Sequence, residues 1–119
     1  MGTRMLSSSD LPVHNNLKQA VVAAKETDTV FLNQQLRPAL RALRTQPTEM
    51  LLPLGTFNAM EHLAGIPKLY FGGDMEAAIL LSGQVVGRID EAKSAAEIVQ
   101  DTVNGCYEAV KGLATHYTD

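Results

Sequence analysis

Asp74-Met75-Glu76-Ala77-Ala78-Ile79-Leu80-Leu81-Ser82-Gly83-Gln84-Val85-Val86-Gly87-Arg88-Ile89 is the most telling stretch of this 119-residue chain. Asp74 suits a helix N-cap, because a short side-chain oxygen can accept an otherwise unpaired backbone N–H. Behind it, Met75, Ala78, Ile79, Ser82, Val86 and Ile89 recur at helical spacing and predict a helix from Asp74 to Ile89. Gly83 and Gly87 leave a flat lane beside that stripe. A glycine inside a helix costs about 1 kcal/mol relative to alanine. Two of them four residues apart therefore imply close approach of a backbone or ligand, with helix-on-helix packing the plainer account.

Downstream, Ser94-Ala95-Ala96-Glu97 is a capping box, in which serine and glutamate side chains satisfy each other's free N–H groups. Ala95, Val99, Val103, Cys106, Val110, Leu113 and Tyr117 then repeat every three or four residues. Such a stripe must dock on something, and a core role is expected. Upstream, Asp10 as N-cap and Pro12 in the first turn predict a helix from Pro12 to Lys25, with Leu17, Ala20, Val21 and Ala24 on one face. Asp28-Thr29-Val30-Phe31-Leu32 is short, β-branched and aromatic, and reads as a strand. Pro38 opens a further helix to Arg44, with Leu36, Leu40 and Leu43 at helical spacing and Gln46-Pro47-Thr48 ending it. A short helix is expected from Asn58 to Leu63, stopped by Gly65 and Pro67. The elements sum to a mainly α chain with one or two short strands.

The length gives room for one domain and one hydrophobic core. It is far below the roughly 250 residues of an eight-fold β/α barrel. The 45% hydrophobic and 19% charged content is that of an ordinary globular chain. A net charge of −3 argues against a nucleic-acid partner, since phosphate binding needs a clustered basic surface. The tightest basic group, Arg37, Arg41 and Arg44, is expected on one exposed helix face. Residues 1 to 10 lack a signal peptide's apolar run, and no stretch approaches a membrane span. A cytoplasmic location is the expectation.

Without a family in view, catalytic signals are sparse. Cys106 is the single cysteine, and His14, His62 and His116 lie too far apart in sequence for a metal motif. Neither a GxSxG elbow, a Walker loop nor a GxGxxG is present. Asp90 and Glu91 precede a helix and suit its positive end. Gly72-Gly73-Asp74 could offer amides to an anion, but Asp74 would repel a phosphate, so a plain turn and cap is expected. Met1-Gly2-Thr3-Arg4 could give backbone N–H and hydroxyl donors to phosphate. Alone, that tetrapeptide means little.

Several segments, in order, resemble the nitronate monooxygenase family. Met1-Gly2-Thr3-Arg4-Met5 looks like the family's MGTRF segment at the end of a late barrel strand. Leu11 to Ala20 is similar to its PVHENVKQA helix start, and Asp28-Thr29-Val30 to its DTV strand. Leu36-Arg37 through Arg41-Ala42-Leu43-Arg44 follows its arginine-punctuated helix. Gly73-Asp74 and Ser82 to Ile89 track the GD…AGQxxGLI signature, and Ala96-Glu97-Ile98-Val99 the start of the closing helix. Residues 48 to 70 match least.

The resemblance implies the C-terminal segment of an FMN-binding (β/α)8 TIM barrel with a helical subdomain. It divides the chain into 1–26 (end of a barrel strand plus helix), 27–72 (strand and subdomain) and 73–119 (two helices returning to the barrel). It further implies oxidation of alkyl nitronates with dioxygen to a carbonyl compound and nitrite. Gly2 and Thr3 would help hold the FMN phosphate, while Gly83 and Gln84 would sit near the flavin. No residue of this chain matches the family's catalytic histidine, which lies upstream of the equivalent of Met1 together with most flavin contacts. The chain is thus expected to be inactive, and not to hold FMN, on its own.

Its expected partner is the missing N-terminal barrel half, or another copy through exposed apolar helix faces. Arg88 replaces an apolar residue, Ala78 a glycine and Leu81 a common serine of the family pattern, which clouds the pocket side of the glycine-glutamine segment. Two other readings stand beside this one: a non-catalytic helical interaction domain derived from the family, and a fragment of a flavin-type enoyl-acyl-carrier-protein reductase, which shares the barrel and a similar GQ segment.

Overall fold

A computed structural model describes residues 1–117. Its elements in chain order are α1 (Gly2–Leu6), α2 (Asn15–Ala23), β1 (Thr29–Leu32), β2 (Leu40–Leu43), α3 (Gln46–Leu51), α4 (Ala59–Leu63), α5 (Ile66–Tyr70) and α6 (Ala95–Tyr117). Single 3-10 turns at Leu52–Leu54 and Gln84–Arg88 complete it. The architecture is mainly helical with one two-stranded antiparallel sheet.

β1 falls where its β-branched and aromatic residues put it. The helix expected from Pro38 to Arg44 does not form; that stretch holds β2 instead. Thr29, Val30, Phe31 and Leu32 pair with Leu43, Ala42, Arg41 and Leu40. A lone β1 would leave its backbone donors and acceptors unpaired, so the need for a partner overrides the local leucine spacing. Asn33 fixes the reversal: at φ 57° its amide donates to the Pro38 carbonyl at 3.1 Å and accepts from the Phe57 N–H at 3.2 Å. The arginines consequently lie on a hairpin and its flanks, not on a helix face. Gln46-Pro47-Thr48 starts α3 rather than ending a helix, with Pro47 in the first turn and Thr48 Oγ1 accepting from the Thr45 N–H at 2.8 Å.

The Asp74–Ile89 helix is likewise absent. Asp74 closes a turn by accepting from the Glu76 N–H at 3.1 Å. Ile79, Leu80 and Leu81 then run extended along the far edge of β2, with Leu43 N–H donating to the Leu80 carbonyl and Ser82 N–H to the Arg41 carbonyl. Ala42 and Leu81 form an antiparallel bridge there. A continuous apolar run of this length cannot be assigned to helix or strand by periodicity, and an unpaired strand edge decided it. Chain segment 73–117 therefore returns through a bridge, a 3-10 turn and one helix, not two helices.

At the N-terminus, Gly2–Leu6 is one helical turn where the resemblance implied a strand end. α2 begins at Asn15, capped by His14, whose Nδ1 accepts from the Asn16 N–H at 3.1 Å. Asp10 caps α6 instead, accepting from the Ala95 N–H at 2.7 Å across 85 residues. α4 forms where a short helix is expected, with Asn58 as its N-cap, but Pro67 opens α5 rather than ending the helical stretch.

Two clusters make the core. Leu17, Val21, Leu69, Leu80 and Val86 pack α2 and α5 against the return segment, and Val30, Leu32, Ala42, Leu51 and Ile79 back the hairpin. Gly87 is needed where the return segment crosses the turn that follows α2: a Cβ there would lie 2.2 Å from the Glu26 backbone nitrogen. The close approach expected of that glycine is real, though it occurs in a 3-10 turn.

α6 stands apart from this packing. Its capping box forms, with Glu97 Oε2 accepting from the Ser94 N–H at 2.8 Å and Ser94 Oγ accepting from the Glu97 N–H at 3.2 Å. The Ser94 bonds hold the Glu97 carboxyl below the usual carboxylate range. Ile98 is buried, yet Val99, Val103, Val110, Leu113 and Tyr117 are all exposed, Leu113 at 59%. The expected core role of the stripe is not met within this chain. The projecting helix stretches the molecule to 55 × 32 × 21 Å, with a radius of gyration of 16.9 Å. A compact domain of this length has a radius of about 13–14 Å.

Candidate functional site

Thr3 and Gly83 lie 80 residues apart in sequence and meet in space: the Gly83 N–H donates to Thr3 Oγ1 at 2.9 Å. The hydroxyl accepts that bond, so its own hydrogen is left to point elsewhere. α1 delivers Thr3, and the extended segment paired to β2 delivers Gly83. Arg4 braces α1 from behind, its Nη1 donating to the Glu91 carbonyl at 2.6 Å and to Ser7 Oγ at 3.2 Å.

Gly2, Thr3 and Gly83 line one open cleft of about 510 Å³. Leu6 and Leu81 supply apolar wall, and Arg41 and Tyr70 supply polar groups. Arg41 sits on β2 directly opposite Phe31. Its guanidinium lies 5.2 Å from the Phe31 ring centroid and donates to Thr29 Oγ1 at 3.2 Å. Tyr70, the last residue of α5, is half-buried, and that burial pushes its phenol above the ordinary value, so the O–H stays a donor at neutral pH.

Of the four residues expected at a cofactor, three share this cleft. Gln84 does not: it opens the neighbouring 3-10 turn and is exposed. Ala78 is buried in the core beside Gly65 rather than facing the cleft, and Arg88 is exposed. Arg41 and Tyr70 were missed. The signal for Arg41 was its place opposite an aromatic residue on a strand, which required reading residues 40–43 as β.

None of the histidines reaches the cleft. His14 serves as a cap, His62 packs edge-on against Phe57 at 5.2 Å, and His116 lies on exposed α6. Gly73 is a turn, as expected, with φ 71° and its carbonyl accepting from Asn16 Nδ2 at 2.8 Å. Among the described residues no cluster of three His, Cys, Asp or Glu could hold a metal ion, and no helix is long and apolar enough to cross a membrane. The cleft offers donors and apolar wall. Nothing in it is a base.

A family model described as nitronate monooxygenase matches residues 1–105. Among solved structures, FabK from Thermotoga maritima superposes with a TM-score of 0.85 at 29% identity, over 98% of this chain and 39% of its own. The FabK M276A mutant from the same organism gives 0.82 at 28% identity, over 98% of this chain and 36% of its own. The chain thus spans less than two-fifths of the length of the structures it matches.

Proposed function

This chain belongs to the nitronate monooxygenase family, and we propose that it is the C-terminal portion of an FMN-dependent enzyme that oxidises alkyl nitronates with dioxygen to a carbonyl compound and nitrite. One observation carries the reading: two family segments 80 residues apart, around Thr3 and Gly83, are bonded together at the wall of one cleft. The donors there suit the phosphate end of FMN, and the backbone at Gly2 and Gly83 carries no side chain to obstruct it. FMN, when bound, supplies the redox chemistry; Gly2, Thr3 and Gly83 hold and orient it, and Leu6 and Leu81 help exclude water.

The catalytic base comes from the barrel portion preceding this one in the family. Alone, this chain forms part of a site and turns nothing over.

A second reading, a flavin-type enoyl-acyl-carrier-protein reductase, draws support from the FabK structures. A third, a non-catalytic interaction module, draws support from the exposed α6 stripe. Assays on this chain joined to the N-terminal barrel portion separate the three. Nitrite release with dioxygen uptake from an alkyl nitronate is the expected result. Reduction of an enoyl thioester without nitrite would move the assignment to the second reading, and flavin-free, inert protein to the third.

A further inference from the structure

Away from the Thr3–Gly83 cleft, an open cavity of about 440 Å³ lies between α2, Ser9 and Ala92. Lys18 of α2 lines it and is only 9% exposed. Its Nζ donates to the Leu11 carbonyl at 2.8 Å and to the Ser9 carbonyl at 3.2 Å. An ammonium carries three hydrogens, so one is left over. Both partners are neutral, and no carboxylate pairs with Lys18 among the described residues. A lysine this buried ordinarily has an anion beside it, because neutral acceptors do not offset the loss of water around a full charge.

Ser9, Asn15 and Gln19 border the same cavity, and their side chains have no hydrogen-bond partner among the described residues. Each can donate. With the spare Lys18 hydrogen they match the four lone-pair positions of a carboxylate. Asn15 opens α2, whose positive end favours an anion. Val22 and Ala92 give the cavity an apolar wall.

We propose that this cavity binds a small aliphatic monocarboxylate, with the carboxylate on Lys18 and the alkyl chain against Val22 and Ala92. One buried positive charge matches one negative charge. A phosphate dianion would leave an excess and make no use of the apolar wall. The site is independent of the flavin reading, since none of its residues lines the Thr3–Gly83 cleft. Its occupant fastens α2 to the approach to α6, because the Ser9 N–H donates to the carbonyl of Lys93, the neighbour of Ala92, at 2.9 Å.

The test titrates the ¹⁵N-labelled chain with sodium butyrate, against sodium chloride at equal ionic strength, and follows the Ser9, Asn15, Gln19 and Ala92 amides. Saturable shifts are expected there and not at Thr3, Arg41 or Gly83. Butyramide has the same shape without the charge, and both it and inorganic phosphate are expected to bind roughly tenfold more weakly. Lys18→Met is expected to weaken butyrate binding by about tenfold or more, and Gln19→Ala, at an exposed position, a few-fold. Should Lys18→Met unfold, the comparison of butyrate with butyramide in the natural chain, together with Gln19→Ala, decides the matter. Absence of saturation by butyrate, equal binding of butyramide or phosphate, or unchanged binding in the variants overturns the proposal.

Discussion

Gly87→Ala is expected to destabilise the chain by about 3 kcal/mol, near the upper end of what overpacking costs. The added Cβ would sit 2.2 Å from the Glu26 backbone nitrogen and 2.5 Å from its Cα. No rotamer change relieves a clash between a Cβ and backbone atoms. Either the turn after α2 moves, which loosens Val21 in the core, or the return segment lifts and unseats the fully buried Val86. Over a domain of this size such a loss lowers Tm by roughly 10 °C. Gly105→Ala and Gly112→Ala are the built-in contrast. Nothing lies within 4 Å of either site on α6, so the alanines should strengthen the helix by up to about 1 kcal/mol each. Thermal unfolding of the three variants checks both signs at once. A neutral Gly87→Ala would mean that the return segment does not cross the turn after α2 as described.

The second large effect concerns α6. From Val99 the apolar residues alternate spacings of four and three, through Val103, Cys106, Val110 and Leu113 to Tyr117. Glu97, Asp101, Glu108 and Lys111 all fall outside that seam. A helix of 23 residues with Ile98 as its buried residue has little tertiary support, and unsupported helices are marginal in water. We propose that the seam seats against the N-terminal barrel portion, because the FabK chains that share this fold carry well over half their length outside the matched region.

Val103→Glu combined with Val110→Glu should then leave the stability of this chain within about 0.5 kcal/mol, as both sites are exposed here. Its affinity for the barrel portion should fall at least 100-fold, the equivalent of about 2.8 kcal/mol. Unchanged affinity, measured by calorimetry, would place the barrel portion elsewhere.

Much of this could be read from residues, and the failures share a cause. α6 and its Ser94–Glu97 box, β1, and the short helix after Asn58 depend on contacts within a few residues, so local pattern suffices. β2 and the extended run at Ile79–Leu81 exist because strand edges need partners far away in sequence, although the leucine and alanine spacing of both suits a helix. Asp10 stands where it suits the nearest helix, yet it caps one 85 residues away. The same division holds at the site. The resemblance points to Gly2, Thr3, Gly83 and Gln84, of which the first three line the cleft, whereas Arg41 and Tyr70 reach it only through β2 and α5, which the local leucine spacing and Pro67 conceal. Gln84 shows the opposite failure, since adjacency to Gly83 did not bring its side chain to the wall.

The Thr3–Gly83 cleft, in the proposed reading, is one wall of a flavin site completed by strands this chain does not carry. FMN titration followed by flavin fluorescence, with this chain alone and with the N-terminal barrel portion added, addresses it most directly. Retention of FMN by the reassembled pair, and not by either piece, is the expected result. Failure of the pair to retain flavin would contradict it.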